Sequence, residues 1–230
     1  MTDLATRILD CVPAGSYAID ALFRLVDIVE TGEIPTAAIQ GGSQPRLLVN
    51  PSFVARHAAT PERLLMLVLH ELHHVILGHA RSFHIRSSLD HVVADAVINA
   101  FLCRAFPDPR GIALLTDLYP DDEVPSALLR PAAGWQPDRP APRNAHLDAQ
   151  GYGRLASVHE ALYSPAGVSY EEVAAALREV LPDDAGDELL LLGGHGDGDL
   201  LHGGLDLRAP ALVDVTRQVV AGWPKGSPGP

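Results

Sequence analysis

The run His70-Glu71-Leu72-His73-His74 constrains this chain more than any other stretch. Pro61-Glu62-Arg63-Leu64-Leu65-Met66-Leu67-Val68-Leu69 leads into it with good helix formers and no internal Gly or Pro. The spacing predicts a helix on which His70 and His74, at i and i+4, share one face. Two imidazoles so placed reach one Zn²⁺ at about 2.0–2.1 Å each, and Glu71, one position round, reaches a water beside it. Thr60-Pro61-Glu62 provides the start of such a helix: a capping hydroxyl, a proline at the first helical position and an early acid. Gly78 marks a stop or a bend. Leu64–Leu69 is apolar on every face, so the helix is expected to be buried, where histidines and a glutamate need partners.

Length and charge bound the remaining readings. The 230 residues suffice for one domain of ordinary size, or one core with appendages, and 47% apolar residues suffice for a real core. The net charge is −12 with Lys and Arg scattered, which argues against a nucleic-acid or anionic-membrane surface. Six of the eleven histidines fall from His70 to His91. With only Cys11 and Cys103, neither a disulfide framework nor a cysteine-based zinc site is expected. Met1–Arg7 carries early charge and no sustained apolar run, so no signal peptide is expected, and no stretch approaches the roughly 18–20 apolar residues of a membrane span. A soluble cytoplasmic protein is the expectation.

Along the chain, a short helix near Leu4 breaks at Val12-Pro13-Ala14-Gly15, and a longer one is expected from about Ser16 to Val29, ended by Thr31-Gly32. Ile34–Gln40 and Arg46–Asn50 read as a hairpin, with Pro35 marking the first run as edge or irregular. A short helix opens at Asn50-Pro51 and runs to about His57; after the motif helix, a third long helix covers Asp90–Leu102. Residues 1–118 then form the expected core. From Tyr119 to about Gln150 six prolines predict a long loop or partly disordered insertion. Helical pattern returns at Tyr152–Tyr163 and Ser169–Leu181, the second opening on a capping box. Leu189–Leu192 suits a last short strand, Pro210–Gly222 a final helix, and 223–230 a loose tail. The fold class is therefore α+β: a small sheet packed on the motif helix and its successor, followed by a mainly helical part over 151–222.

A catalytic zinc needs a third protein ligand and an open position. Asp95 lies 21 residues beyond His74, and Asn99 follows one turn later on the same face. His91, Asp95 and Asn99 form a polar stripe on an otherwise apolar helix, and such a stripe must meet something buried. Asp95 bound instead to a neighbour such as His79 is the bland alternative. His79 is the rival ligand, but its offset from His74 and the lack of any methionine after Met66 exclude a metzincin pattern. His79 and His91 are then expected behind the ligands. His73 points about 100° away and is read as a surface or packing residue. A di-iron bundle fails for want of a second Glu-x-x-His pair, and a deformylase-like site for want of a suitable cysteine.

The pieces Ile34–Pro51, His70–His79 and Ala94–Asn99 together resemble the bacterial metallopeptidase domain that occurs joined to von Willebrand A-like domains, and are similar to the compact zincins called minigluzincins. The likeness covers about Ser16–Phe106. It implies a zincin-like fold, one zinc held by His70, His74 and Asp95, Glu71 as general base, and Asn99 orienting a motif histidine. A separate von Willebrand A-like subunit or a chaperone-like AAA+ ATPase is the implied partner.

Two functions compete at this point. One is zinc-dependent hydrolysis of a peptide or protein, with Glu71 moving the proton; His195, His202 and Tyr17 are the candidates for contacting substrate. The other is a catalytically silent zinc domain that serves a partner, in which the site would be closed. The stretch Gly193–Gly204 approaches a calcium-binding repeat, but one imperfect copy cannot stack, so a loop near the site is the preferred reading.

Overall fold

Three short strands carry the sheet in the computed structural model, which describes residues 3–12, 26–40, 46–76, 87–186 and 189–192. They are β1 (Asp27–Glu30), β2 (Ala37–Gln40) and β3 (Arg46–Val49), in the order β1-β3-β2. β2 and β3 run antiparallel with Ala37 opposite Val49 and Gln40 opposite Arg46, as expected of a hairpin. β1 pairs parallel to β3, Asp27 opposite Arg46. Here the expected helix to Val29 is corrected: its last residues are strand. Asp-Ile-Val-Glu carries two β-branched residues, and its partner strand is distant in sequence, so local periodicity favoured the wrong element.

Asn50 fastens the sheet to the next helix, α2 (Pro51–His57). Its Oδ1 accepts from the Ser52 and Phe53 amides at 2.9 and 3.4 Å, and its Nδ2 donates to the Ile34 carbonyl at 2.8 Å. The motif helix α3 (Pro61–Ile76) starts as its sequence demands, with Thr60 Oγ1 accepting from the Arg63 amide at 3.4 Å. Leu64, Leu67, Val68, Leu69 and Leu72 are all buried, and β2 and α1 (Leu4–Asp10) pack on α3. A fully buried leucine contributes about 1.5–3 kcal/mol, and Leu67→Ala would cost about 2–5 kcal/mol.

The second central helix, α4 (Ser88–Ala105), is capped by Ser87 Oγ, which accepts from the Asp90 amide at 3.3 Å, and ends before Phe106-Pro107. Most of its length is buried, because α3 lies against it on one side and two later helices, α7 (Gly153–Tyr163) and α8 (Tyr170–Arg178), on others. The capping box at Ser169 is formed as expected. Between them comes α5 (Pro109–Leu118), which sequence reading missed. Asp108 caps it, and Gly111 brings it so close to α3 that an added Cβ would stand 3.2 Å from the Glu62 carbonyl oxygen.

The proline-rich stretch after Tyr119 is not loose. It contains a 3-10 helix (Ser126–Leu129) and a short helix α6 (Ala145–Ala149), and Tyr119, Leu128, Leu129, Ala141 and Leu147 are buried in one core with residues from both ends of the described chain. Side chains replace the ladder the prolines forbid: Trp135 Nε1 donates to Tyr163 O at 2.7 Å, and Asn144 Nδ2 to Asp121 O at 3.0 Å. Leu189–Leu192 joins no ladder among the described residues, which corrects the expected last strand; Leu191 O accepts instead from Thr36 Oγ1 at 3.2 Å. The expected helix Pro210–Gly222, the Gly193–Gly204 loop, the tail and Gly78 lie outside the described residues. No helix among the described residues is long and apolar enough to cross a membrane.

Candidate metal centre

α3 and α4 bring His70, His74 and Asp95 together in the core. His70 and Asp95 are 0% exposed and His74 is 5% exposed. The two histidine Nε2 atoms are 3.1 Å apart, and Asp95 Oδ1 lies 3.6 Å from His70 Nε2 and 3.2 Å from His74 Nε2. One ligand atom from each residue falls within 4.8 Å of the others, so the group is of a size to hold a metal ion.

Hydrogen bonding fixes which atoms face inward. Asn99 Nδ2 donates to the Leu129 carbonyl at 3.0 Å, which a carbonyl can only accept, so Asn99 Oδ1 is turned to His70 Nδ1 at 2.8 Å. His70 therefore carries its proton on Nδ1 and offers the Nε2 lone pair to the centre. A lone pair from His70, a carboxylate oxygen from Asp95 and a second imidazole nitrogen then converge. Such a set calls for positive charge between its members. The electrostatics agree: burial, the largest single influence, opposes charge on His70, but the Asp95 carboxylate, Glu71 and the Asn99 hydrogen bond together raise its pKa above the ordinary value.

Glu71 is 1% exposed, and its Oε1 has no hydrogen-bond partner among the described residues. Burial pushes its carboxyl up to about 8; His70 opposes this and Asp95 adds to it. His73 turns the other way, its Nδ1 donating to Leu69 O at 2.5 Å and its ring 5.2 Å from that of Phe101, so it is a packing residue. His91 is half-buried one turn before Asp95 and is not one of the three converging residues. His79, Tyr17, His195 and His202 lie outside the described residues.

Two contributors were missed from sequence. Leu129 supplies a main-chain carbonyl, which carries no side-chain signal at all. Tyr119, at the end of α5, is 2% exposed and close enough to Asp95 and Glu71 for their charges to raise its pKa, after burial itself. Only an aromatic residue closing an unrecognised helix announced it. Comparison of the chain with family models, with curated proteins and with solved structures finds no match.

Proposed function

We propose that this chain is a zinc-dependent metallopeptidase of the gluzincin type, with a zincin-like arrangement of sheet, motif helix and third-ligand helix. The observation that carries the reading is the convergence of His70 Nε2, His74 Nε2 and Asp95 Oδ1 at 3.1, 3.2 and 3.6 Å. Ligands about 2.0–2.1 Å from one ion at tetrahedral angles stand roughly 3.3 Å apart, which those spacings match. Two imidazoles and one carboxylate also suit zinc better than calcium or magnesium, which favour all-oxygen sites.

When bound, zinc supplies Lewis acidity, polarising a carbonyl oxygen and lowering the pKa of water toward about 7. Glu71 would do the proton work: its carboxyl, raised by burial, is drawn back toward the ionised form by a cation held beside it. Its Oε1, which meets no hydrogen-bond partner among the described residues, takes a proton from the attacking water and passes it to the leaving amine nitrogen as the C–N bond breaks. Asn99 holds His70 in the tautomer that keeps Nε2 a donor of electrons. Strand β2, at the sheet edge and packed on α3, offers a backbone edge for an extended peptide.

Burial favours a second reading, a structural zinc in a partner-binding subunit. Against it stands Glu71, because a buried carboxyl whose Oε1 meets no hydrogen-bond partner among the described residues is a cost in a site that does no chemistry. Metal analysis of the purified protein, together with cleavage of a peptide library, separates the two. One equivalent of zinc with cleavage supports the peptidase; zinc without cleavage supports the structural site. Glu71→Gln should keep the zinc and lose the cleavage, and a variant cleaving at the original rate would sink the mechanism.

A further inference from the structure

The 3-10 helix Ser126–Leu129 ends inside the core, with Leu128 and Leu129 fully buried. The last carbonyls of a helix have no partner within it, and buried ones must be met from elsewhere. Three consecutive carbonyls are met here by three side chains. Leu128 O accepts from the Tyr163 hydroxyl, Leu129 O from Asn99 Nδ2 and Arg130 O from His159 Nε2, each at 3.0 Å. A carbonyl can only accept, so His159 carries its proton on Nε2.

Asn99 comes from α4 and reaches on to His70, whereas the two flanking donors both come from α7. His159 and Tyr163 stand four residues apart on one face of that helix, both fully buried, with ring centroids 5.0 Å apart. Each of the three carbonyls belongs to its own rigid peptide plane. Clamping the planes on either side leaves the Leu129 carbonyl little freedom to swing, and its direction decides which way the Asn99 amide faces. The Arg130 side chain adds a further tie, its Nη1 donating to the Thr116 and Tyr119 carbonyls at 2.9 and 3.0 Å.

We infer that His159 and Tyr163 are positioning residues of the metal centre, acting from α7 through the Leu129 carbonyl and Asn99 on the orientation of His70. The contacts run from α7 to the end of the 3-10 helix, from there to Asn99, and from Asn99 to His70, with hydrogen bonds of 3.0 Å or less joining each layer to the next. Partners that orient a ligand from behind tune the metal site, and what orients the partner shares in that role. This rests on the metal centre of the metallopeptidase reading, not on its hydrolysis. It goes beyond that reading by making α7, which supplies none of the three ligands, part of the site.

The test is zinc titration of the full chain, stripped with chelator, against a chromophoric competitor. Each protein's metal-free melting temperature is measured alongside. Tyr163→Phe removes one hydroxyl and His159→Phe one ring N–H; each should weaken zinc binding by about 2–30-fold, as residues coupled to a site through others do. In an Asn99→Ala background the same substitutions should leave zinc affinity where Asn99→Ala alone puts it, because the connection is already cut. Asn144→Ala is the contrast, losing bonds to Asp121 O and to the His146 and Leu147 amides in the same proline-rich stretch. It should lower the metal-free melting temperature and leave zinc affinity alone. Zinc affinities of Tyr163→Phe and His159→Phe equal to wild type overturn the inference. So does a loss that persists in full without Asn99, or an equal loss in Asn144→Ala, since either marks general loosening. Should one of the two α7 variants fail to fold, the other decides. If the wild-type chain takes up no zinc, the metallopeptidase reading itself fails and this inference with it; zinc uptake that neither α7 variant weakens refutes the inference alone.

Discussion

Asn99 Oδ1 accepts the Nδ1–H of His70 at 2.8 Å while its Nδ2 donates to Leu129 O at 3.0 Å, so one amide ties a histidine of the neighbouring helix to the 3-10 helix that ends 30 residues further along the chain. Both halves of the amide are needed. Asn99→Ala should weaken zinc binding by about 10–100-fold, since the His70 tautomer is no longer imposed. Asn99→Asp keeps an acceptor for His70 but deprives the Leu129 carbonyl of its donor, and should bind zinc between wild type and Asn99→Ala. Competition titration ranks the three, and affinities indistinguishable from wild type would refute the role.

A centre assembled from buried groups ties the cation to folding. A ligand that binds only the folded state at about 100 times its dissociation constant adds about 2.7 kcal/mol. The zinc-loaded protein should therefore melt higher than the chelator-treated protein. Asp95→Asn should abolish that difference, because the single carboxylate of the set is lost. Differential scanning calorimetry with and without added zinc reads it directly; a persisting difference in the variant would mean that zinc binds elsewhere.

His159 gives the fold a pH dependence apart from the metal. It is 0% exposed and its pKa is lowered, chiefly by burial, with the Arg130 carbonyl pulling the other way. A histidine whose folded pKa lies below its unfolded value of about 6.5 binds its proton more readily in the unfolded chain. Its contribution is thus present above about pH 6.5 and falls as pH drops, by at most about 1.4 kcal/mol per pH unit. Urea denaturation of wild type and His159→Gln should show a wild-type advantage at pH 7.5 that shrinks toward pH 5. A constant advantage would exclude the histidine as its source.

Gly186 marks where the chain presses on the start of α4. A Cβ there would lie 2.8 Å from the Ser88 carbonyl oxygen and 3.0 Å from Val92 Cγ2. Gly186→Ala should cost about 1–3 kcal/mol, as overpacking does, read as a lower urea midpoint with an unchanged slope. A neutral substitution would mean that this contact yields.

How much of this was readable beforehand depended on whether the cause was local. Thr60-Pro61, Asn50-Pro51 and the Ser169 capping box start their helices where the residues said they would. The pairing of His70 with His74 followed from helical spacing, while Asp95 was reached from the polar stripe His91, Asp95 and Asn99 on an apolar helix and from a likeness to the gluzincin pattern. Asp108-Pro109 is the same start signal as Asn50-Pro51, but Gly111 in the first turn hid it; that glycine is there for close approach to Glu62. β1 depends on a parallel partner far along the chain, which no local pattern encodes. The proline-rich stretch is ordered by side-chain bonds from Arg130, Trp135 and Asn144, whose partners only the fold reveals.

Thr36 Oγ1 and Leu191 O are separated by 155 residues. At translation rates of about 5–20 residues per second, the ribosome adds Leu191 roughly 8–30 s after Thr36. Over part of that interval α3 and α4 have both been made, while the Leu189–Leu192 segment that lies against Thr36 and Tyr119 has yet to leave the ribosome. The contact between the last described segment and the residue before β2 can thus close only after His70, His74 and Asp95 have all been made, so this late-made segment is fastened onto a pair of central helices that already exists.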